Sequence, residues 1–253
     1  VDSCKFIDCV GDSNDKRNFI ILGLGSNTHC KTLEVTNSEF TFSNTDRSAA
    51  AICLERYAKM YINSCNFTNC WVDRNGKYSG AIRYGPSIDT LTSRDFCRFE
   101  ITNCVFDNCN NINSNGGRVI CGRSAKSSNV FSDCIIKNTV NGSYIFQWEF
   151  VTQEQEFTLT NFIFENNQAC CPEGGAGISI LKTTKITFSD CSFIANSQTH
   201  DTSNGGAFSC PSDSTASNQE IIFDKCHFEN NSVTYNGNGG ALYLRALSHL
   251  VTV

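Results

Sequence analysis

Apolar and polar residues alternate over short stretches of this chain, and one stretch recurs along its length. It reads apolar, x, apolar, x, Asn/Asp, Cys, x, Phe, x, Asn. The clearest copy places Phe99, Ile101, Asn103, Cys104, Phe106 and Asn108 at these positions. Other copies run from Met60 to Asn69, Ile186 to Ala195 and Ile221 to Asn230, and weaker ones from Leu33 to Phe42, Asn129 to Asn138 and Phe157 to Asn166. The period is two residues, which is the period of a strand and not of a helix.

Aligned copies give nearly homogeneous columns. Three residues before the Cys stand Val35, Ile62, Ile101, Phe131, Leu159, Phe188 and Phe223. Two residues after it stand Phe6, Phe40, Phe67, Phe106, Ile136, Phe164, Phe193 and Phe228. The Cys column itself holds Cys4, Ser38, Cys65, Cys104, Cys134, Phe162, Cys191 and Cys226. The Asn or Asp beside the Cys predicts a corner, because these residues tolerate a left-handed backbone.

A second pattern follows each copy after a polar loop of variable length: Gly-Gly-Ala, apolar, x, apolar. It is complete at Gly205–Cys210 and Gly239–Leu244, slipped by one residue at Gly174–Ala176, and degenerate at Ser79–Tyr84, Gly116–Cys121 and Ala49–Leu54. The glycines predict a further turn with positive φ. Cys-to-Cys spacing ranges from 27 to 39 residues. Loops absorb such variation; a fixed helical repeat would not.

No copy can bury its own Phe and Ile, whereas stacked copies bury a continuous column. The expected fold is therefore all-β: a single-stranded parallel β-helix, right-handed, of about eight rungs. No composition shift marks a linker, so residues 1–253 read as one domain. The first copy keeps only its second half, and Leu250–Val253 opens another strand. The chain thus reads as a fragment of a longer repeat protein. Its expected neighbours are further rungs of the same polypeptide or a second copy stacked end to end.

The pairing of FxxN with GGA and an aliphatic residue, once per turn, resembles the repeat of chlamydial polymorphic membrane proteins. It equally resembles the similarly named surface proteins of protists such as trichomonads. FxxN stands here as Phe164–Asn167, Phe193–Asn196 and Phe228–Asn231. The resemblance implies a secreted or surface-anchored region working in adhesion, with a ligand on a host or neighbouring cell and no active site.

Composition narrows the classes further. The net charge is −5 and the pI about 5.4, which argues against a nucleic-acid partner. No apolar run approaches the ~18 residues of a membrane span. Sixteen cysteines contain no Cys-x2-Cys pair, so zinc is not suggested and no cofactor is expected. An oxidising compartment fits them better, which predicts an extracellular or cell-surface location.

Equivalent positions on adjacent rungs lie about 4.8 Å apart, within disulfide range. Cys70 and Cys109 share a loop-edge position and form the best candidate bridge, expected on the outside. Cys191 and Cys226 stack likewise, but inside. Cys65, Cys104 and Cys134 are three in a row, and Cys170–Cys171 lie in a loop. Inward cysteines have a second reading, as free thiols acting as small core hydrophobes. The stacked Asn37, Asn103, Asp133, Asn161 and Asp190 are expected to pass side-chain hydrogen bonds between rungs rather than hold calcium. Candidate glycosylation sequons begin at Asn66, Asn141 and Asn230, with Asn66 facing out. His29, His200, His227 and His249 are scattered and read as surface residues.

The alternative is a carbohydrate-active β-helix enzyme, a lyase or glycoside hydrolase. Asn44-Thr45-Asp46 echoes one polygalacturonase motif, but the Asp-Asp, Gly-His-Gly and Arg-Ile-Lys elements are absent from the sequence. Glu34, Glu100 and Glu220 face out and read as solvated carboxylates rather than a catalytic pair.

Overall fold

The fold is seen in a computed structural model of the chain. It describes residues 1–8, 20–22, 31–42, 51–54, 58–70, 79–84, 99–109, 118–124, 129–140, 144–150, 156–170, 178–181, 183–200, 204–210, 220–234, 236–244 and 250–253. All described elements are strands, and all their pairings are parallel. No helix among them is long and apolar enough to cross a membrane.

The strands wind into a parallel β-helix with three faces. The first face stacks eight strands, Lys31–Thr36, Ala58–Asn63, Phe99–Thr102, Asn129–Ser132, Glu156–Thr160, Lys185–Ser189, Glu220–Asp224 and Leu250–Thr252. The second stacks the short strands that follow them, from Lys5–Ile7 through Val105–Asp107 to His227–Glu229. The third carries Ile20–Leu22, Ile52–Leu54, Ser79–Tyr84, Arg118–Ser124, Tyr144–Phe150 and Ile178–Leu181, and Phe208–Cys210 pairs separately with Leu242–Leu244. Small strands at Gln168–Ala169, Ser197–Gln198 and Ser232–Val233 stack beyond the second face.

Burial follows the alternation in the sequence. Val35, Ile62, Ile101, Phe131, Leu159, Phe188 and Phe223 are successive partners in register, and all are buried. On the second face Phe6, Phe40, Phe67 and Phe106 stack nearly parallel, with ring centroids 4.8–4.9 Å apart. Ile136 then fills one layer, and Phe164, Phe193 and Phe228 resume at 5.3 and 4.8 Å. The strand spacing sets these distances, so each ring takes the offset stack its neighbour allows.

Among the described residues a left-handed corner precedes every short strand of the second face, and another follows each of them except Glu39–Thr41. Fifteen non-glycine residues among those described have φ between 49° and 57°, and eleven of them are Asn or Asp. The first corner uses Ser3, Asn37, Ser64, Asn103, Asp133, Asn161, Asp190 and Lys225. The second uses Asp8, Asn69, Asn108, Asn138, Asn166, Ala195 and Asn230. A left-handed residue costs about 1–2 kcal/mol, and Asn and Asp visit this region most readily. The sequence pattern announces the first corner; the second was not expected.

The glycine motif packs rather than merely turns. Gly205 and Gly239 have φ of 75° and 73°. A Cβ on Gly206 would collide with Gly240 O and come within 2.6 Å of Ser232 N and O, which belong to the next rung. The degenerate copies do not stay in simple register. Ser79–Tyr84 and Arg118–Ser124 are shifted by one residue between Arg118 and Ile120, so Ile82 pairs with Ile120 and not with Val119. A β-bulge absorbs the extra residue. Gly174–Ala176 lies outside the described residues.

Phe106 is fully buried between Phe67 and Ile136. Phe106→Ala is expected to lower unfolding free energy by about 3–5 kcal/mol in denaturant titration. Gly206→Ala should cost about 1–3 kcal/mol through overpacking. Gly240→Ala should be milder, because its added Cβ meets only Asn231 O at 3.5 Å. Equal losses for the two glycines would show that the close approach at Gly206 is not what the motif protects.

Candidate functional site: two inward polar columns

The residue after each corner points back into the helix. At the first corner this column is Cys4, Ser38, Cys65, Cys104, Cys134, Phe162, Cys191 and Cys226. At the second it includes Cys70, Cys109, Thr139, Asn167, Asn196 and Asn231. Cys65, Cys70, Cys104, Cys109, Cys134, Cys191, Thr139, Asn167 and Asn196 are all buried.

Both columns solve the same local problem. Where the chain turns inward, a backbone N–H is buried away from water and needs an acceptor. The side chain one rung on supplies it. Cys4 N donates to Ser38 Oγ at 3.2 Å and Cys104 N to Cys134 Sγ at 3.4 Å. The amides of Ser38, Cys65, Phe162 and Cys191 point likewise at the sulfurs of Cys65, Cys104, Cys191 and Cys226. In the second column Thr139 N, Asn167 N and Asn196 N donate to the Oδ1 of Asn167, Asn196 and Asn231 at 3.0–3.2 Å.

Most of these side chains also lie within donor reach of the carbonyl three positions back on the preceding rung, and each thiol has a second acceptor two residues back on its own rung at 3.1–3.8 Å. Cys65, Cys104, Cys134, Cys191 and Cys226 reach Val35, Ile62, Ile101, Leu159 and Phe188 at 3.3–3.9 Å. Cys70 and Cys109 reach Phe40 and Phe67 at 3.8 and 3.4 Å. Asn167, Asn196 and Asn231 reach Ile136, Phe164 and Phe193 with Nδ2 at 2.7–2.9 Å. The amides also join one another, Asn167 Nδ2 to Asn196 Oδ1 and Asn196 Nδ2 to Asn231 Oδ1, both at 3.0 Å. The Asn of FxxN is thus the inward ladder residue, and Cys70 and Cys109 occupy its place in earlier rungs.

This corrects one expectation. Cys70 and Cys109 stack on adjacent rungs as anticipated, but they lie inside, fully buried, not at an outer loop edge. The corners at Asn69 and Asn108 turn them inward. The structure carries both as thiols, together with Cys191 and Cys226. Burial first, and the neighbouring Cys109 thiol second, push the Cys70 thiol well above its ordinary range. Cys65, Cys104 and Cys191 are raised too, each chiefly by the next thiol in its column and then by burial. Cys226 is half-buried, and its hydrogen bond with Cys191 shifts it downward. The raised thiols are poor nucleophiles at neutral pH.

A second ladder runs outside at the corners themselves. Asn37 Nδ2 donates to Asp2 Oδ1 at 2.9 Å, Asn103 Nδ2 to Asn63 Oδ1 at 2.8 Å and Asn161 Nδ2 to Asp133 Oδ1 at 2.7 Å. The last bond holds the Asp133 carboxyl below its usual range. Asn108, Asn138 and Asn166 repeat the device at the second corner at 2.8–2.9 Å. The expected rung-to-rung bonding is present for Asn37, Asn103, Asp133 and Asn161, though two acceptors are the residue before the corner, Asn63 and Asp2, and Asp190 accepts from the adjacent Ser189 on its own rung.

The remaining sequence candidates are dispersed. Asn66 and Asn230 are exposed, while Asn141 lies outside the described residues. His227 is exposed and meets Glu229 at 3.1 Å, and His200 is half-buried; His29 and His249 lie outside the described residues. Cys170 is half-buried and Cys171 is outside the described residues. Tyr61 stands between Glu34 and Glu100 in register, so these carboxylates are not neighbours. Glu220 pairs with Lys185 at 3.6 Å. Similar pairs join Lys5 to Glu39 at 3.0 Å and Lys137 to Asp107 at 3.4 Å across adjacent rungs. No family model matches the chain, and no curated protein or solved structure matches it either.

Thr139 sits where the thiol column gives way to the amide column. Its Oγ1 is buried and has no hydrogen-bond partner among the described residues. Thr139→Asn would place an amide where Asn167 and Asn196 already carry one. It is expected to raise unfolding free energy by about 1 kcal/mol in urea titration. A loss of stability would mean that the Asn geometry does not extend past Asn167.

Proposed function

We propose that this chain is a non-catalytic segment of an extracellular or cell-surface β-helix that works as an adhesin, surface coat or filament protein. One observation carries the reading: the inward thiols and amides are engaged in holding rung to rung. Asn167, Asn196 and Asn231 each donate through Nδ2 to a backbone carbonyl of the preceding rung, and the thiols lie within reach of such carbonyls as well. These side chains build a stiff rod whose faces and loops are left for recognition.

The outer surface fits that use. Exposed Asn66 lies within its sequon on a strand of the second face, and exposed Asn230 lies at a corner. Ion pairs such as Lys5–Glu39 stack along the rungs and keep the face polar. Exposed pairs of this kind contribute about 0–1 kcal/mol each, so their value is in solubility more than in stability. The FxxN and GGA resemblance adds adhesion as the role, with a ligand on a host or neighbouring cell.

An antiserum against residues 1–253 should stain intact, unpermeabilised source cells, and peptide N-glycosidase treatment should lower the mass of the natural protein. The purified chain should release no product from pectins or other glycans. Staining that requires permeabilisation would overturn the surface location. Turnover of a polysaccharide would overturn the non-catalytic role.

A further inference from the structure

We propose that Cys70 and Cys109 form a redox staple whose state is set before the rungs close and is then locked by the fold. This inference is independent of the surface role. The two cysteines occupy the same column on adjacent rungs, two residues past the paired Thr68 and Asp107. Rung spacing puts equivalent Cα atoms about 4.8 Å apart, inside the disulfide window of about 4.4–6.8 Å. Both side chains point inward from left-handed corners at Asn69 and Asn108, and both are fully buried.

The same geometry seals the pair. Both residues are shut off from solvent, and each thiol sits between two carbonyl oxygens, Phe40 O and Thr68 O for Cys70 and Phe67 O and Asp107 O for Cys109. Exchange needs an exposed thiolate in line with the attacked sulfur. The closed rung leaves neither sulfur exposed, and burial raises the Cys70 thiol besides. Cys226 differs, being half-buried with its thiol shifted downward.

Closure of the staple is a two-electron oxidation. The Cys70 and Cys109 thiols lose their protons, one Sγ–Sγ bond forms, and a small-molecule disulfide such as glutathione disulfide is reduced to two thiols. These carbonyls then lose their thiol donors, while the bridge ties together the rungs that flank residues 71–98. A chain folded under reducing conditions keeps the ladder; one folded under oxidising conditions keeps the bridge.

The test is to produce residues 1–253 in a reducing bacterial cytosol and in an oxidising periplasm. Each product is then challenged, still folded, with glutathione disulfide or dithiothreitol, and peptides are mapped after acid quench and alkylation. Labelling of Cys226 confirms that the reagents act. The Cys70–Cys109 linkage should be present in the periplasmic product and absent from the cytosolic one. Each state should interconvert about tenfold or more slowly in the fold than in denaturant. A Cys109→Ser chain, which retains a donor at that position, should fold in both compartments and lack the linkage. Absence of the linkage from the periplasmic protein would overturn the proposal. So would oxidation of the folded cytosolic protein as fast as in denaturant.

Discussion

The buried backbone N–H that follows each left-handed corner is the constraint on which the rest of this structure depends. A parallel sheet pairs backbone groups along its strands, but a corner takes the chain out of the ladder and turns a donor inward. An unpaired buried donor costs about 1–3 kcal/mol, and the problem recurs from rung to rung. The remedy is a short side chain on the next rung that accepts this N–H and, in most cases, returns a donor to a carbonyl on the preceding rung. Cysteine, serine and asparagine all meet the requirement at the positions where they occur: Cys104 with Cys134, Cys4 with Ser38, Asn167 with Asn196. Once those bonds are made, the stacks of Phe67 on Phe106 and Phe188 on Phe223 fall into register.

The first column shows what an exception requires. Phe162 replaces the thiol and carries no heteroatom in its side chain, and it packs instead on Phe164 and Phe146 at 5.2 and 6.3 Å. Its own amide still points at the sulfur of Cys191 on the next rung. One layer of aromatic packing thus interrupts the column without ending it. Thr139 is a milder interruption, in which the backbone bond to Asn167 is kept and the hydroxyl is stranded.

The architecture and the two apolar columns were legible in the alternation of residues, because burial on a strand has a period of two and loops of variable length do not disturb it. The corner before each Cys was legible too, since Asn and Asp mark it in Asn103, Asp133 and Asp190. The second corner was hidden because its Asn was read as the end of a motif, although Asn108 and Asn166 recur at the same offset after Phe106 and Phe164. Without that corner, Cys70 and Cys109 fall on the outside. The FxxN motif carried the missing signal: its Asn holds the place that Cys70 and Cys109 hold in earlier rungs. The bulge between Ser79–Tyr84 and Arg118–Ser124 has no mark in the sequence, because a single extra residue leaves the local alternation intact on either side.

Interchange of thiol and amide at the second corner is the most direct test of the ladder. Asn196 donates to Phe164 O and Asn231 Oδ1, and it accepts from the Asn167 backbone and side chain. Thermal midpoints of Asn196→Cys and Asn196→Leu, measured side by side under reducing conditions, separate hydrogen bonding from packing. If the column works through a small acceptor and donor, the cysteine variant stays folded with a modest loss, and the leucine variant loses several times more. A leucine variant as stable as the cysteine variant would show that the column is held by shape alone and would contradict the hydrogen-bonded ladder.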